Sequence, residues 1–144
     1  MQNLNYWERL KCLELYSLER RRERYIVIYI WKISQGLVPN IDGRDRVEVY
    51  ENIRRGRLCR VPGVGPRVSA RLNTSRETSF AILAPRLFNV LPEDLRNYNG
   101  SQDSFKNKLD RYLRQVVDQP SLPNYYQAVS SNSLLEQIPS LNRQ

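Results

Sequence analysis

The chain has no histidine, two cysteines, one methionine and four lysines, Lys11, Lys32, Lys106 and Lys108. Without histidine there is no imidazole acid or base, no Ser-His-Asp or Cys-His nucleophile, and none of the commonest zinc ligand sets. Cys12 and Cys59 are too far apart in sequence to make a Cys-x-x-Cys pair. They could close one disulfide, but no secretory signal precedes them, so both are expected to be reduced thiols of an intracellular protein. The sequons at Asn73 and Asn99 carry no meaning without export. No apolar run approaches the roughly 20 residues that cross a bilayer, so no membrane partner is expected. Acids are sparse: Asp42/Asp45 read as a turn and Glu93/Asp94 as a helix start, leaving no paired carboxylates for a metal or a hydrolytic reaction. No catalytic residue, metal or other cofactor is expected.

Arginine is what the chain has in quantity. The net charge is +8, and Lys and Arg together number 23 against 15 acids. With so few lysines the excess is guanidinium, the better fork for phosphate and the better stacker on bases. Such a balance favours acidic partners, nucleic acid first. It is concentrated in Ser17–Gly36, SLERRRERYIVIYIWKISQG, which joins the most basic run to the most apolar one.

Periodicity predicts a first helix over YWERLKCLEL, with Asn5 and Glu8 as a capping box, Tyr6, Leu10 and Leu13 on one face, and an end near Tyr16. Ser17 caps a second helix over 17–35, closed by Gly36 and Pro39. On it Leu18, Tyr25, Ile26, Tyr29 and Ile33 share one face. Val27 and Trp31 extend the face that begins with Arg20 and Arg24. The β-branched density of Tyr25–Ile30 also suits a buried strand, but length and capping favour a helix. Val47, Val49 and Tyr50 read as a short strand or a helical turn. RLCRVP, RVSARL and TSFAIL read as a small antiparallel sheet within 57–83. PRLFNVL and PEDLR open helical turns. Ser101 caps the clearest amphipathic helix, with Phe105, Leu109, Tyr112, Leu113 and Val116 on one face. The predicted fold is α+β, mainly α, with three or four helices around the central helix 17–35. The predicted organisation is one basic domain over 1–118 with an inserted β segment at 40–83. A Pro/Ser/Asn-rich tail follows over 119–144, with a short turn at Leu134–Ile138.

Two motifs bear on binding. Val61-Pro62-Gly63-Val64-Gly65-Pro66, followed by Ser69 and Leu72, resembles the helix-hairpin-helix turn, in which backbone amides, here at Gly63 and Gly65, hold a DNA phosphate. The same residues equally suit a loop between two strands, and Gly56 interrupts the helix that would have to precede the turn. Arginines interleaved with aromatics, from Tyr6 and Trp7 through Arg20–Tyr25 to Tyr29 and Trp31, can track a nucleic-acid strand, or can equally be core and solvated helix faces.

The string YWERLKCLELYSLERRRERYIVIYIWKISQGLVPN resembles the extreme C-terminal region of reverse-transcriptase polyproteins of animal non-LTR (LINE-type) retrotransposons. RRGRLCRVP, ETSFAILAPRLFNVLPEDLRN, SQDSFKNKLDRYLRQVVDQP and SNSLLEQIP follow in the order found in that family. The second of these resembles its SF…GPRLFN.LP..LR stretch, with Ala84 in place of the usual Gly. The resemblance implies a segment downstream of the polymerase thumb, from a truncated reading frame. The family's Tyr/Phe-x-Asp-Asp metal signature is absent, and no Asp-Asp pair occurs in the chain. The function it implies is a non-catalytic fragment, nuclear or cytoplasmic, that binds RNA or DNA backbones without reading sequence. Arg20, Arg21, Arg22, Arg24, Arg54, Arg55, Arg57 and Arg60 are the expected phosphate contacts. A scaffold segment docking on the upstream polymerase thumb through the apolar half of helix 17–35 is the alternative. Helix-hairpin-helix DNA binding through Pro62–Pro66 is a second one.

Overall fold

The structure, a computed structural model, describes residues 3–4, 6–43, 46–61, 79–118 and 132–142. Among these residues the fold is α+β and mainly α, with six helices and one two-stranded antiparallel sheet. Helix α1 spans Tyr6–Cys12 and α2 spans Leu18–Ser34. Strands β1 (Val49–Asn52) and β2 (Gly56–Cys59) form a hairpin. Helices α3 (Phe80–Val90), α4 (Glu93–Arg96), α5 (Gln102–Leu113) and α6 (Leu134–Asn142) complete the order. The turn Pro62–Pro66, with Gly63 and Gly65, and the segment RVSARL lie outside the described residues. No described helix is long and apolar enough to cross a membrane.

The ends of α2 are written locally. The Ser17 hydroxyl accepts from the Arg20 amide at 3.1 Å, which satisfies a first-turn N–H. At the other end Gly36 adopts φ +72. Its amide reaches Ile33 O at 3.1 Å while Leu37 N reaches Lys32 O at 3.0 Å. These two bonds are the Schellman closure that a left-handed glycine permits.

Which face of α2 goes inside is not local. The buried stripe runs Arg20, Glu23, Val27, Ile30 and Trp31, with Ile28 and Ile33 beside it. The face carrying Leu18, Tyr25 and Tyr29 lies on the surface, Tyr25 at 74% exposure. The stripe expected to leave the core at its arginine end therefore stays in the core. Helical spacing makes Arg20 and Glu23 part of the same face as Val27 and Trp31, so packing one packs all. Much of the apolar half of α2 is spent on the chain's own core, while Tyr25 and Tyr29 stay exposed.

Trp31 is the centre of that core. It is wholly buried and stacks on Phe105 of α5 with ring centroids 4.3 Å apart and planes within 4°. Its indole N–H donates to Tyr98 O at 2.9 Å, so the ring's one polar atom is satisfied. Phe105, Leu109 and Leu113 of α5, and Val116 just after it, belong to the same core, and Ser101 caps that helix through the Ser104 amide. Tyr112, on the same face, is half-buried.

Three segments differ from expectation. The first helix stops at Cys12, four residues short of Tyr16. The chain turns through Glu14 at φ +54, leaving Leu13 and Leu15 about half exposed, while Leu10 is buried. Phe80–Leu83, read as a strand, is instead the start of α3, with Pro85 inside. Proline removes one backbone donor. The helix nevertheless buries Ile82, Ala84, Pro85, Leu87 and Phe88 at helical spacing. Among the described residues, the sheet thus shares only Arg57–Cys59 with the expected 57–83 segment. Finally, the expected tail contributes α6, whose Leu134 and Ile138 are buried in the common core.

The β hairpin is held from one side by side-chain amides. Asn89 of α3 accepts from Cys59 N at 2.7 Å and donates to Cys59 O at 2.9 Å, imitating a further strand at the edge of β2. Gly56 closes the hairpin turn at φ +78. A Cβ there would lie 2.7 Å from Asn97 Nδ2 and 2.9 Å from its Oδ1. Asn97 cannot retreat without losing its bond from Arg57 N.

Gly56→Ala is therefore expected to lower the unfolding free energy by roughly 1–3 kcal/mol, read from a denaturant melt. A change near zero would contradict this turn. The two thiols should also differ. Cys12 is exposed, whereas Cys59 is buried and burial pushes its thiol up to about 12. A colorimetric thiol reagent at pH 8 should react rapidly at one site in the native chain and at the second only on unfolding.

Candidate nucleic-acid interface

The eight candidate arginines do not form one surface. The structure divides them into those that hold the fold together and those that face water.

Arg20 is fully buried. Its Nη2 donates to Val117 O at 2.8 Å and to Asn132 O at 3.0 Å, tying α2 to the chain after α5 and to the approach to α6. Nε and Nη1 have no hydrogen-bond partner among the described residues. Burial holds this guanidinium below its ordinary value, with Asp118 and Glu23 pulling the other way. A side chain with no solvent access cannot reach a phosphate, so Arg20 is withdrawn as a contact.

Around it lies a polar brace. Asp118 accepts from Ser17 N at 2.8 Å, Ser17 Oγ at 2.6 Å and Asn132 Nδ2 at 2.9 Å. Glu23 accepts from the Leu134 amide at 3.0 Å and from Ser133 Oγ at 2.7 Å. One carboxylate of α2 thereby takes up an orphan donor of α6 and sits at the positive end of its dipole.

Arg24 grips Asp110 of α5 with two bonds, Nε to Oδ1 at 2.7 Å and Nη2 to Oδ2 at 3.0 Å. That hydrogen bonding raises its pKa. The Tyr16 hydroxyl donates to the same carboxylate at 3.1 Å. Burial and then Asp110 push the phenol up to about 12, so it stays protonated at neutral pH. Tyr16 and Asp110 form part of the wall of an open cleft of about 840 Å³ between α1 and the end of α5, also lined by Leu10, Leu15, Leu113 and Val117. With the phenol neutral and the carboxylate satisfied on both oxygens, this is a clamp between helices.

Arg57 is half-buried, and it donates from Nη1 to Arg96 O at 3.3 Å and from Nη2 to Asn99 Oδ1 at 2.8 Å. Arg21 lies outside, its Nε resting on Tyr16 O at 3.0 Å. Arg60 makes an exposed 3.3 Å pair with Glu48, of the kind that contributes little. Arg55 reaches Asn89 O at only 3.5 Å. Arg22 and Arg54 are exposed, with no side-chain hydrogen bond or ion pair among the described residues.

The outward arginines form two groups. Arg21 and Arg22 sit on the first turns of α2. Arg54 and Arg55 sit on the hairpin turn, with Arg60 just past the end of the second strand. The hairpin leans on Arg96 and Asn97, next to the Tyr98 carbonyl that binds Trp31. Arg21 and Trp31 are separated by about 15 Å of helix rise, so the groups lie toward opposite ends of α2.

The sequence reading missed the device that presents Arg54 and Arg55. Arg96 is buried and donates Nη1 to Arg55 O at 2.6 Å and to Arg57 O at 2.7 Å, and Nε to Leu91 O at 2.9 Å. Burial, and then the Arg55 charge, lower its pKa. Asn52 Oδ1 accepts from both Arg54 N and Arg55 N, at 2.9 and 3.0 Å. The signal was present in VEVYENIRRGRLC, where Asn and Gly bracket a turn between two apolar-alternating runs.

Compared with the models of known protein families, with curated proteins and with solved structures, the chain matches none.

The buried carboxyl of Glu23 makes the brace sensitive to pH. Burial lifts its pKa above the ordinary 4.5, against the bonds from Ser133 and Leu134 and the charge of Arg20. In the folded chain it keeps its proton at pH values where the unfolded chain has lost it. Its contribution to stability therefore falls as pH rises from 4.5 through the raised value, by at most about 1.4 kcal/mol per pH unit. In denaturant melts across that window, wild type minus Glu23→Gln should decline with pH and be flat below it. A difference that rises with pH would contradict the assignment.

Proposed function

We propose that this chain is a non-catalytic basic module that binds RNA or DNA through backbone phosphates, without reading sequence. The reading agrees with its resemblance to the region downstream of the polymerase in LINE-type retrotransposon reverse transcriptases. The observation that supports it best is the β hairpin turn, where Arg54 and Arg55 face water on a backbone fixed by Asn52 and Arg96. A guanidinium on a fixed backbone forfeits less entropy on meeting a phosphate than one on a loose loop. Arg21 and Arg22 supply a second, weaker group, tempered by Glu19 in the same turn. Each group offers forked donors suited to phosphate oxygens and none placed to select a base.

Fluorescence anisotropy of the full chain with unrelated DNA and RNA oligonucleotides should give similar affinities. Log K should fall linearly with log salt, by about 0.7 to 0.9 per phosphate neutralised. Arg54→Glu with Arg55→Glu should flatten that slope by roughly two contacts, and Arg21→Glu with Arg22→Glu by less. No binding at low salt, or an affinity indifferent to salt, would overturn the proposal.

A further inference from the structure

The same hairpin carries a residue that phosphate binding does not use. Ile53 stands at the tip, beside Arg54, with a relative exposure of 104%. A lone apolar residue on a surface is ordinary. This one is not placed ordinarily. Turn positions favour Gly, Pro, Asn, Asp and Ser, and a β-branched apolar residue gains nothing there from packing. Local rules broken without a folding benefit are found where a site is built.

The surroundings tell what kind of site. Ile53 is followed directly by Arg54 and Arg55, and Tyr50, also exposed, lies on the first strand of the hairpin. From Arg46 to Val61 the described residues hold five arginines against two glutamates, Glu48 and Glu51, and Glu48 already pairs with Arg60. The tip cannot fold back under load. Asn52 closes its amides, Gly56 supplies the left-handed corner, Arg96 holds the Arg55 and Arg57 carbonyls, and Asn89 holds Cys59. A stiff two-stranded arm ending in an aliphatic side chain followed at once by two guanidiniums has the chemistry of a wedge for stacked bases. The charges hold the phosphates on either side, and the apolar group enters the step between bases, where it leaves water. An acidic protein surface would satisfy the arginines but would leave Ile53 in solvent or against charge.

We infer that the hairpin tip inserts Ile53 between adjacent base pairs of a duplex, unstacking one step while Arg54 and Arg55 bind the flanking phosphates. This rests on the backbone-binding reading above and adds to it the form of the ligand, which is base-paired.

The test uses the full chain with a DNA duplex and an RNA–DNA hybrid, each carrying 2-aminopurine at an internal step. Binding is followed by anisotropy and unstacking by the rise in 2-aminopurine fluorescence. Wild type should bind and raise the fluorescence on at least one of the two, and the arm that responds identifies the duplex preferred. Ile53→Ser should keep the affinity and its salt slope within about threefold, because phosphates supply both. It should reduce the fluorescence rise by about tenfold, because nothing then enters the step. Ile53→Leu should retain the rise. Because Ile53 touches no core residue, these variants leave the fold intact. Binding without any rise, or an equal rise with Ile53→Ser, overturns the wedge and leaves backbone binding standing. Absence of binding by wild type overturns both.

Discussion

The structure depends on one constraint, the continuity of the buried face of α2 from its charged end to its apolar end. Trp31 must be inside, since it fills the centre of the core against Phe105. Residues at helical spacing before it, Val27, Glu23 and Arg20, are carried in with it. Two charged groups are thereby placed in a low-dielectric interior, at a cost that only good hydrogen bonding offsets. The fold provides that bonding from segments far along the chain. The carbonyls of Val117 and Asn132 bind Arg20, while Ser133 and the amide of Leu134 bind Glu23. The brace thus attaches the final helix to the central one and fixes the register at which both pack.

The same constraint sorts the arginines. A net charge of +8 suggests a broad phosphate-binding surface. Yet Arg20 and Arg96 are consumed in holding backbone carbonyls, and Arg24 in holding a carboxylate. Guanidinium suits this work because its several donors can tie together segments that share no regular structure. Of the eight candidate arginines, those left for a partner are fewer, chiefly at the stiff tip of the β hairpin. Rigidity at that tip is borrowed from the core side through Arg96 and Asn89, so stability and the proposed binding share residues.

Much of the architecture was legible. The caps at Ser17 and Ser101, the glycine stop at Gly36, and the Phe105–Val116 face all follow from local stereochemistry and spacing, which tertiary contacts did not override. The strand read at Phe80–Leu83 failed because a short apolar run looks alike in either form, and Pro85 drew the helix start too late. Both strands of the β hairpin were in view, RLCRVP as sheet and Val47 to Tyr50 as strand or helical turn, but their pairing was not, because Gly56 was weighed as interrupting a helix, whereas its left-handed φ makes it a turn residue. At the end of the tail, the short turn read at Leu134–Ile138 is the start of a helix, with Leu134 and Ile138 four residues apart and both buried.

By itself the sequence determined the caps of α2 and α5 and the glycine stop at Gly36, that histidine chemistry is excluded, and that the basic charge is mostly guanidinium. These are properties of residue type and near-neighbour spacing. Only the tertiary structure decided which arginines are available. A helix that is apolar nearly all round behind a charged turn does not say which stripe faces in, and solvent access to Arg20 and Arg22, two residues apart, differs completely. That difference is set by where Trp31 packs and by the remote carbonyls, Val117 and Asn132, that meet a buried guanidinium.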